Sequence, residues 1–212
     1  MVNIPRTAFS QVMKARDIVL GGDSLTEMGS SNWPQFVAKH FKGSAVLNTA
    51  NGGNDSATIL GQVQAAIKAN STIAQRMLIL WTGQHDYTLG AAGCLANIAA
   101  MVAGCMPGWF RIIEPLPYAN ASYVTGQPLR LVRDAVAAGV AKNWPAASVP
   151  ILSYLQAAAV TPQDIQDVAQ GWVPTSLRQP ADDIHMTLMV TPGDGTGNDI
   201  IYQRVIASLP GF

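Results

Sequence analysis

Short apolar runs alternate along the chain with longer segments of helical spacing. Ile18-Val19-Leu20, Ala45 to Leu47 and Met77 to Trp81 (MLILW) are continuous apolar stretches too short for helices. Such runs suit strands of a parallel sheet covered on both faces. They predict strands at about 17–21 and 45–47 and a central one at 77–81, then Trp109 to Ile113 and Val149 to Ser153. Between them, apolar residues recur at helical spacing. Phe36, Val37 and Phe41 make one stripe behind Trp33-Pro34, and Ile59, Val63 and Ile67 make another over about 56–69. An Ala-rich helix is expected over about 88–103, and others over Pro128 to Lys142, Pro162 to Ala169 and Asn198 to Ser208. This alternation, with no repeat period, predicts a three-layer α/β/α sandwich around a five-stranded, mostly parallel sheet of flavodoxin-like type.

The 212 residues fit one such domain, spanning 1–212, with 1–15 as an N-terminal arm or short helix. The stretch 154–181 leads into Asp182 through Pro-containing turns, and Trp172 within it either walls a site or pins the loop to the core. His40, on or beside the first stripe, reads as a partly buried, hydrogen-bonded histidine.

Charge narrows the partners. Only 12% of residues are charged and the formal net charge is zero. The chain therefore lacks the basic footprint for nucleic acid or an anionic membrane surface. Neutral molecules fit better as partners. The positive mean hydropathy favours a homo-oligomer or a module of a larger assembly. Cys94 and Cys105 are not spaced as zinc or haem ligands and read as buried free thiols. No apolar run reaches the ~18 residues of a membrane span, and the first residues lack the core of a signal peptide. The expectation is a soluble protein, cytoplasmic or cut from a larger exported or viral one. No residue cluster calls for a metal or a cofactor.

Polar clusters sit where strands end. Gly21-Gly22-Asp23-Ser24 follows the first strand, and its glycines permit a tight turn with positive φ that presents Ser24 at the carboxyl edge of the sheet. Alone this is also what an ordinary turn or helix cap looks like. Asn48 to Ser56 (NTANGGNDS) and Gly83 to Asp86 (GQHD) follow the next two strands, and Asp182 precedes His185 by three residues. The Gly-rich turn at 52–53 lacks the lysine of a phosphate loop and the spacing of a dinucleotide site. A serine hydroxyl needs a base and a group that orients the base, and His185 and Asp182 supply both types. A helical i, i+3 ion pair is the alternative reading of those two.

Gly22-Asp23-Ser24-Leu25, Asn48 with Gly53, Gly83-x-x-Asp86 and Asp182-x-x-His185 resemble, in order and spacing, the four blocks of the SGNH (GDSL-type) hydrolases. The resemblance runs from Ile18 to His185. It implies a serine esterase with a Ser24–His185–Asp182 triad and an oxyanion hole made by the backbone N–H groups of Ser24 and Gly53. The third donor in the family is the side-chain amide of an Asn, and here that position holds His85. Asp23 and Asp86 match acids that brace loops. Small acyl esters, such as carbohydrate O-acetyl esters, are the substrates implied. Two alternatives stand beside this one. The first is a catalytically weak or inactive carbohydrate-binding or structural module on the same fold. The second is an acyltransferase using the same acyl-enzyme.

Overall fold

The computed structural model describes residues 17–27, 29, 31–41, 44–69, 76–105 and 108–209. Five strands, β1 (Ile18–Gly22), β2 (Val46–Asn48), β3 (Met77–Trp81), β4 (Phe110–Ile113) and β5 (Ser148–Val149), form one sheet in the order β2-β1-β3-β4-β5. Every pairing is parallel, so the sheet is wholly rather than mostly parallel. This is the flavodoxin-like winding, in which strand order reverses beside β1.

The helices are α1 (Trp33–His40), α2 (Ser56–Ala69), α3 (Gly90–Val102), α4 (Pro128–Asn143), α5 (Leu152–Ala157), α6 (Pro162–Ala169) and α7 (Gly197–Ser208). Successive strand residues point to opposite faces, and the core divides accordingly. Ile18, Leu20, Ile79 and Trp81 pack with Phe36 and Val37 of α1 and Ile201 and Val205 of α7. Val19, Leu78, Leu80 and Ile112 pack with Ile59, Val63, Ile98 and Val136 of α2, α3 and α4. β1 and β3 are buried along their whole length, which is why their sequences do not alternate.

The element boundaries follow the sequence expectation closely, with one exception. The strand expected at 149–153 ends at Val149, and Leu152 opens α5 instead. Pro150 cannot donate to a ladder, and the Glu114 carboxylate accepts the backbone N–H groups of Ile151 and Leu152 at 3.0 and 3.1 Å. An acid over those amides favours a helix start.

His40 is more exposed than expected, with its Nδ1 3.1 Å from the Tyr202 hydroxyl. Cys94 is buried and Cys105 half-buried, both as free thiols. The expected N-terminal arm lies outside the described residues. Among the described residues no helix is long and apolar enough to cross a membrane.

Candidate active site

β1 delivers Asp23 and Ser24 to the carboxyl edge of the sheet. The two glycines before them act differently from expectation, since neither has a positive φ. Gly22 is instead required by close approach: a Cβ there would lie 2.8 Å from the Trp81 carbonyl oxygen and closer still to the Thr26 hydroxyl. Asp23 then turns the chain, its Oδ1 accepting the Leu25 N–H at 2.9 Å and its carbonyl accepting the Thr26 and Glu27 N–H groups. The Ser24 N–H donates to none of the described groups.

The loop after β2 is tied to this turn. Asn48 donates its amide to the Thr26 carbonyl at 2.6 Å, and the Glu27 carboxylate accepts the Gly52 N–H at 3.1 Å. A Cβ on Gly52 would sit 3.6 Å from that of Ser24, so the Gly52-Gly53 backbone passes beside the serine. Gly53 has a φ of +76°, where glycine is unstrained, and its N–H has no partner among the described residues. Asp86 fixes the far end of the loop by accepting the Ser56 N–H at 3.1 Å and the Ser56 hydroxyl.

His185 comes from a hairpin-like loop in which Arg178 and Met186 form an antiparallel bridge. Its Nε2 lies 2.9 Å from Ser24 Oγ and its Nδ1 2.8 Å from Asp182 Oδ2. Asp182 Oδ1 accepts the Ile184 and His185 N–H groups at 2.8 and 2.7 Å. Burial pushes the Asp182 pKa up, but those N–H groups and the His185 ring outweigh it and hold the carboxyl below its ordinary value. Asp182 and His185 are not on a helix, so their spacing reflects a loop turn and not a helical ion pair. Asp183 points elsewhere, accepting from Asn120 at 3.2 Å.

His85 sits close to the serine turn. Its Nε2 is 3.7 Å from Asp23 Oδ2 and 3.5 Å from the Tyr118 hydroxyl. Burial lowers its pKa, against the pull of Asp86 and Asp55. Burial likewise raises the Asp23 pKa to about 7, in spite of the Leu25 N–H and the nearby His185. Asp23 Oδ2 is buried without a hydrogen-bond partner. It is therefore an ionisable group directly before the serine. Burial also raises the Tyr118 pKa, helped by the charge of Asp23.

Two residues in this assembly went unmarked in the sequence. Glu27 links the first two blocks. Arg178, its side chain 10% exposed, donates to the Asp182 carbonyl at 2.8 Å, the Val173 carbonyl at 3.1 Å, Asp167 Oδ2 at 3.2 Å and Thr175 Oγ at 2.8 Å. Its signal was indirect: in so weakly charged a chain, an arginine four residues before Asp182 is a candidate partner for that turn. Trp172 pins its loop, donating Nε1–H to the Tyr123 carbonyl at 3.3 Å, and does not line the cavity beside Ser24. Among the described residues no three His, Cys, Asp or Glu side chains gather as a metal site.

Neither a family model nor a curated protein matches the sequence. Solved structures do match. A member of the lipolytic protein G-D-S-L family from Veillonella parvula superposes with a TM-score of 0.64 at 14% identity, covering 91% of this chain and 97% of its own. The lipase/acylhydrolase from Enterococcus faecalis gives 0.59 at 17% identity, with 92% and 96% covered. The acetyl xylan esterase AlAXEase gives 0.60 at 10% identity, with 91% and 98% covered. At such identities the likeness speaks for architecture, and over nearly its whole length this chain has the fold of the GDSL-type (SGNH) hydrolases.

Proposed function

We propose that the protein is a serine ester hydrolase with Ser24 as nucleophile, His185 as general base and acid, and Asp182 as the group that orients the imidazole. One observation carries this reading: the unbroken hydrogen-bond chain from Asp182 Oδ2 through both His185 nitrogens to Ser24 Oγ. With Nδ1–H donated to Asp182, Nε2 is left to take the hydroxyl proton as Oγ attacks the ester carbonyl. The collapsing intermediate expels the alcohol with the proton held on Nε2, and water repeats the sequence to release the acid.

The negative oxygen of the intermediate is met by the Ser24 and Gly53 N–H groups, both without other described partners, and by a His85 ring N–H. Such donors act most strongly where water is excluded. A neutral imidazole offers only one N–H, so its tautomer matters. An ionised Asp23 favours the proton on Nε2, and a protonated Asp23 favours it on Nδ1.

The substrates we assign are uncharged esters of small acyl groups, O-acetylated carbohydrates foremost. The scarcity of charge in the chain and the fold it shares with an acetyl xylan esterase support this class. Exposure to a fluorophosphonate followed by intact-mass measurement tests the nucleophile. One adduct mapped to Ser24, absent from a folded Ser24→Ala variant, is expected. A folded parent that takes no label would refute the reading.

A further inference from the structure

The His85 ring is approached at one nitrogen only. Its Nε2 faces Asp23 Oδ2 at 3.7 Å and the Tyr118 hydroxyl at 3.5 Å, whereas no group among the described residues bonds to Nδ1. Which ring nitrogen keeps the proton is set by what the ring meets, so the choice between tautomers falls to these two neighbours. Tyr118 does not decide it. A hydroxyl can accept from Nε2–H or donate to a bare Nε2. Asp23 does decide it, because an ionised carboxylate only accepts, and at this distance its charge favours a hydrogen on Nε2. A protonated carboxyl removes that preference and offers a donor to the bare nitrogen instead.

Little else absorbs this influence. Asp23 Oδ1 accepts the Leu25 N–H at 2.9 Å, which leaves Oδ2 buried, without a hydrogen-bond partner and facing His85. Asp23 is 1% exposed, so water screens the pair weakly. Burial also keeps the His85 ring from charging, and its proton can therefore move between nitrogens without changing the charge. The other titratable groups facing the pair are His185, Asp86 and Asp55, and Tyr118 in turn faces Asp182, Tyr87 and Tyr123. Asp86 and Asp55 are engaged elsewhere, with Ser56 and with the Thr58 N–H.

We propose that Asp23 is a positioning residue for His85, and that the third oxyanion N–H is present only while Asp23 is ionised. The inference rests on the ester-hydrolase reading above. Nε2 is the nitrogen turned to Asp23, the residue directly before Ser24, and the His85 and His185 rings are near enough to influence each other's charge. Nε2–H is therefore the donor that meets the oxygen of an intermediate held on Ser24 Oγ. When Asp23 takes up a proton from water, the ring releases Nε2–H and gains Nδ1–H, so His85 stays neutral and turns a lone pair to the developing negative charge. Turnover thus requires two groups to be deprotonated, Asp23 and the base His185.

The test is kcat/KM for p-nitrophenyl acetate from about pH 5 to about pH 9, followed as acetate release, in the parent, Asp23→Asn, His85→Asn and the double variant. In the parent the acid limb of log kcat/KM should steepen toward a slope of two, one proton for Asp23 and one for His185. Asp23→Asn keeps its oxygen on the Leu25 N–H and turns its amide N–H to Nε2, which fixes the tautomer that lacks the donor. At about pH 8 its kcat should be about 10²-fold below the parent with KM little changed, and its acid limb should have a slope of one. His85→Asn carries an N–H whatever the state of Asp23, so its limb should also have a slope of one. Adding Asp23→Asn to it should cost less than about threefold. A folded Asp23→Asn enzyme as fast as the parent overturns the proposal, as does an equal loss in the parent and His85→Asn backgrounds. Should Asp23→Asn fail to unfold cooperatively, equal slopes in the parent and His85→Asn overturn it instead. A parent that cleaves no ester and takes no fluorophosphonate overturns the nucleophile and this proposal together, whereas a labelled, active parent with a slope of one overturns this proposal alone.

Discussion

Replacing Arg178 with alanine probes how the acid–base loop is held in place. Of the four acceptors of its guanidinium, Asp167 Oδ2 keeps the Thr175 N–H and hydroxyl, both at 2.6 Å. The Val173 and Asp182 carbonyls have no other donor among the described residues. A hydrogen bond to a charged group contributes about 1.5–3 kcal/mol. Partial rehydration of the two freed carbonyls leaves a loss of about 2–4 kcal/mol of stability. The Asp182 carbonyl follows Ala181, whose φ of 59° is the only positive value at a non-glycine among the described residues. That conformation costs roughly 1–2 kcal/mol, so once the anchor is gone the loop relaxes toward ordinary backbone. Asp182 Oδ2 then leaves its 2.8 Å approach to His185 Nδ1. Arg178 bonds to the backbone and side chains of its own loop and α6 and not to Ser24 or the His185 ring, so the effect should fall on kcat. A decrease of about 10- to 100-fold, equal to about 1.4–2.7 kcal/mol of barrier, is expected with KM nearly unchanged. Arg178→Lys, which can reach one carbonyl, should recover part of kcat. Steady-state kinetics on p-nitrophenyl acetate and thermal unfolding of the three proteins decide the matter. If Arg178→Ala melts earlier yet turns over as fast as the parent, the guanidinium holds the fold and not the triad geometry.

Other outcomes follow from the same geometry. Asp182→Asn should cost far more activity than Asp183→Asn, because only Asp182 meets His185; equal losses measured as kcat would sink the assignment of the acid. His85→Ala should lower kcat by about 10²- to 10³-fold, the usual loss for one oxyanion donor, and His85→Asn should restore much of it; an alanine variant as fast as the parent removes His85 from the hole. Asp23, with a folded pKa raised from 3.8 to about 7, holds a proton that the unfolded chain has already released. Stability should therefore fall as pH rises from about 4 to about 7, by up to about 4 kcal/mol from this one group. Asp23→Asn, which keeps an oxygen for the Leu25 N–H, should raise the thermal midpoint more at about pH 8 than at about pH 4. A gain independent of pH would show that Asp23 ionises normally.

What could be read from the sequence was what depends on local pattern. β1 and β3 announce themselves because both faces of each are covered, leaving uninterrupted apolar runs, and Pro34 and Pro162 mark the first turns of α1 and α6. Asp182 and His185 were recognisable as a pair because three residues of spacing suffice for one turn of loop to join them. Where the outcome depended on distant partners, the pattern was silent. Glu114 reaches across 37 and 38 positions to the first amides of α5 and converts an apparent strand into a helix. Gly22 is needed for clearance from Thr26 and Trp81, a crowding visible only once β1 and β3 are paired. The approach of His85 to Asp23 and Tyr118 joins three loops that sequence order keeps apart.

The junction of α1 with α7 bears on the order in which this molecule assembles. The Trp33 N–H is received by Asn198 Oδ1 at 3.1 Å across 165 positions, and Ser24 meets His185 across 161. Pairings between such remote parts of a chain are among the slowest to form, since a large loop must close before any contact rewards it. Without α7 the sheet can still wind, yet the Trp33 N–H loses its Asn198 acceptor and the Met186 and Thr187 carbonyls beside His185 lose the Asn198 amide. The geometry around Ser24 and His185 thus depends on α7, and on heating it should be lost when that helix first lifts away. Turnover of p-nitrophenyl acetate should fade at lower temperature than helical circular dichroism, making activity a sensitive reporter of whether α7 is docked on α1.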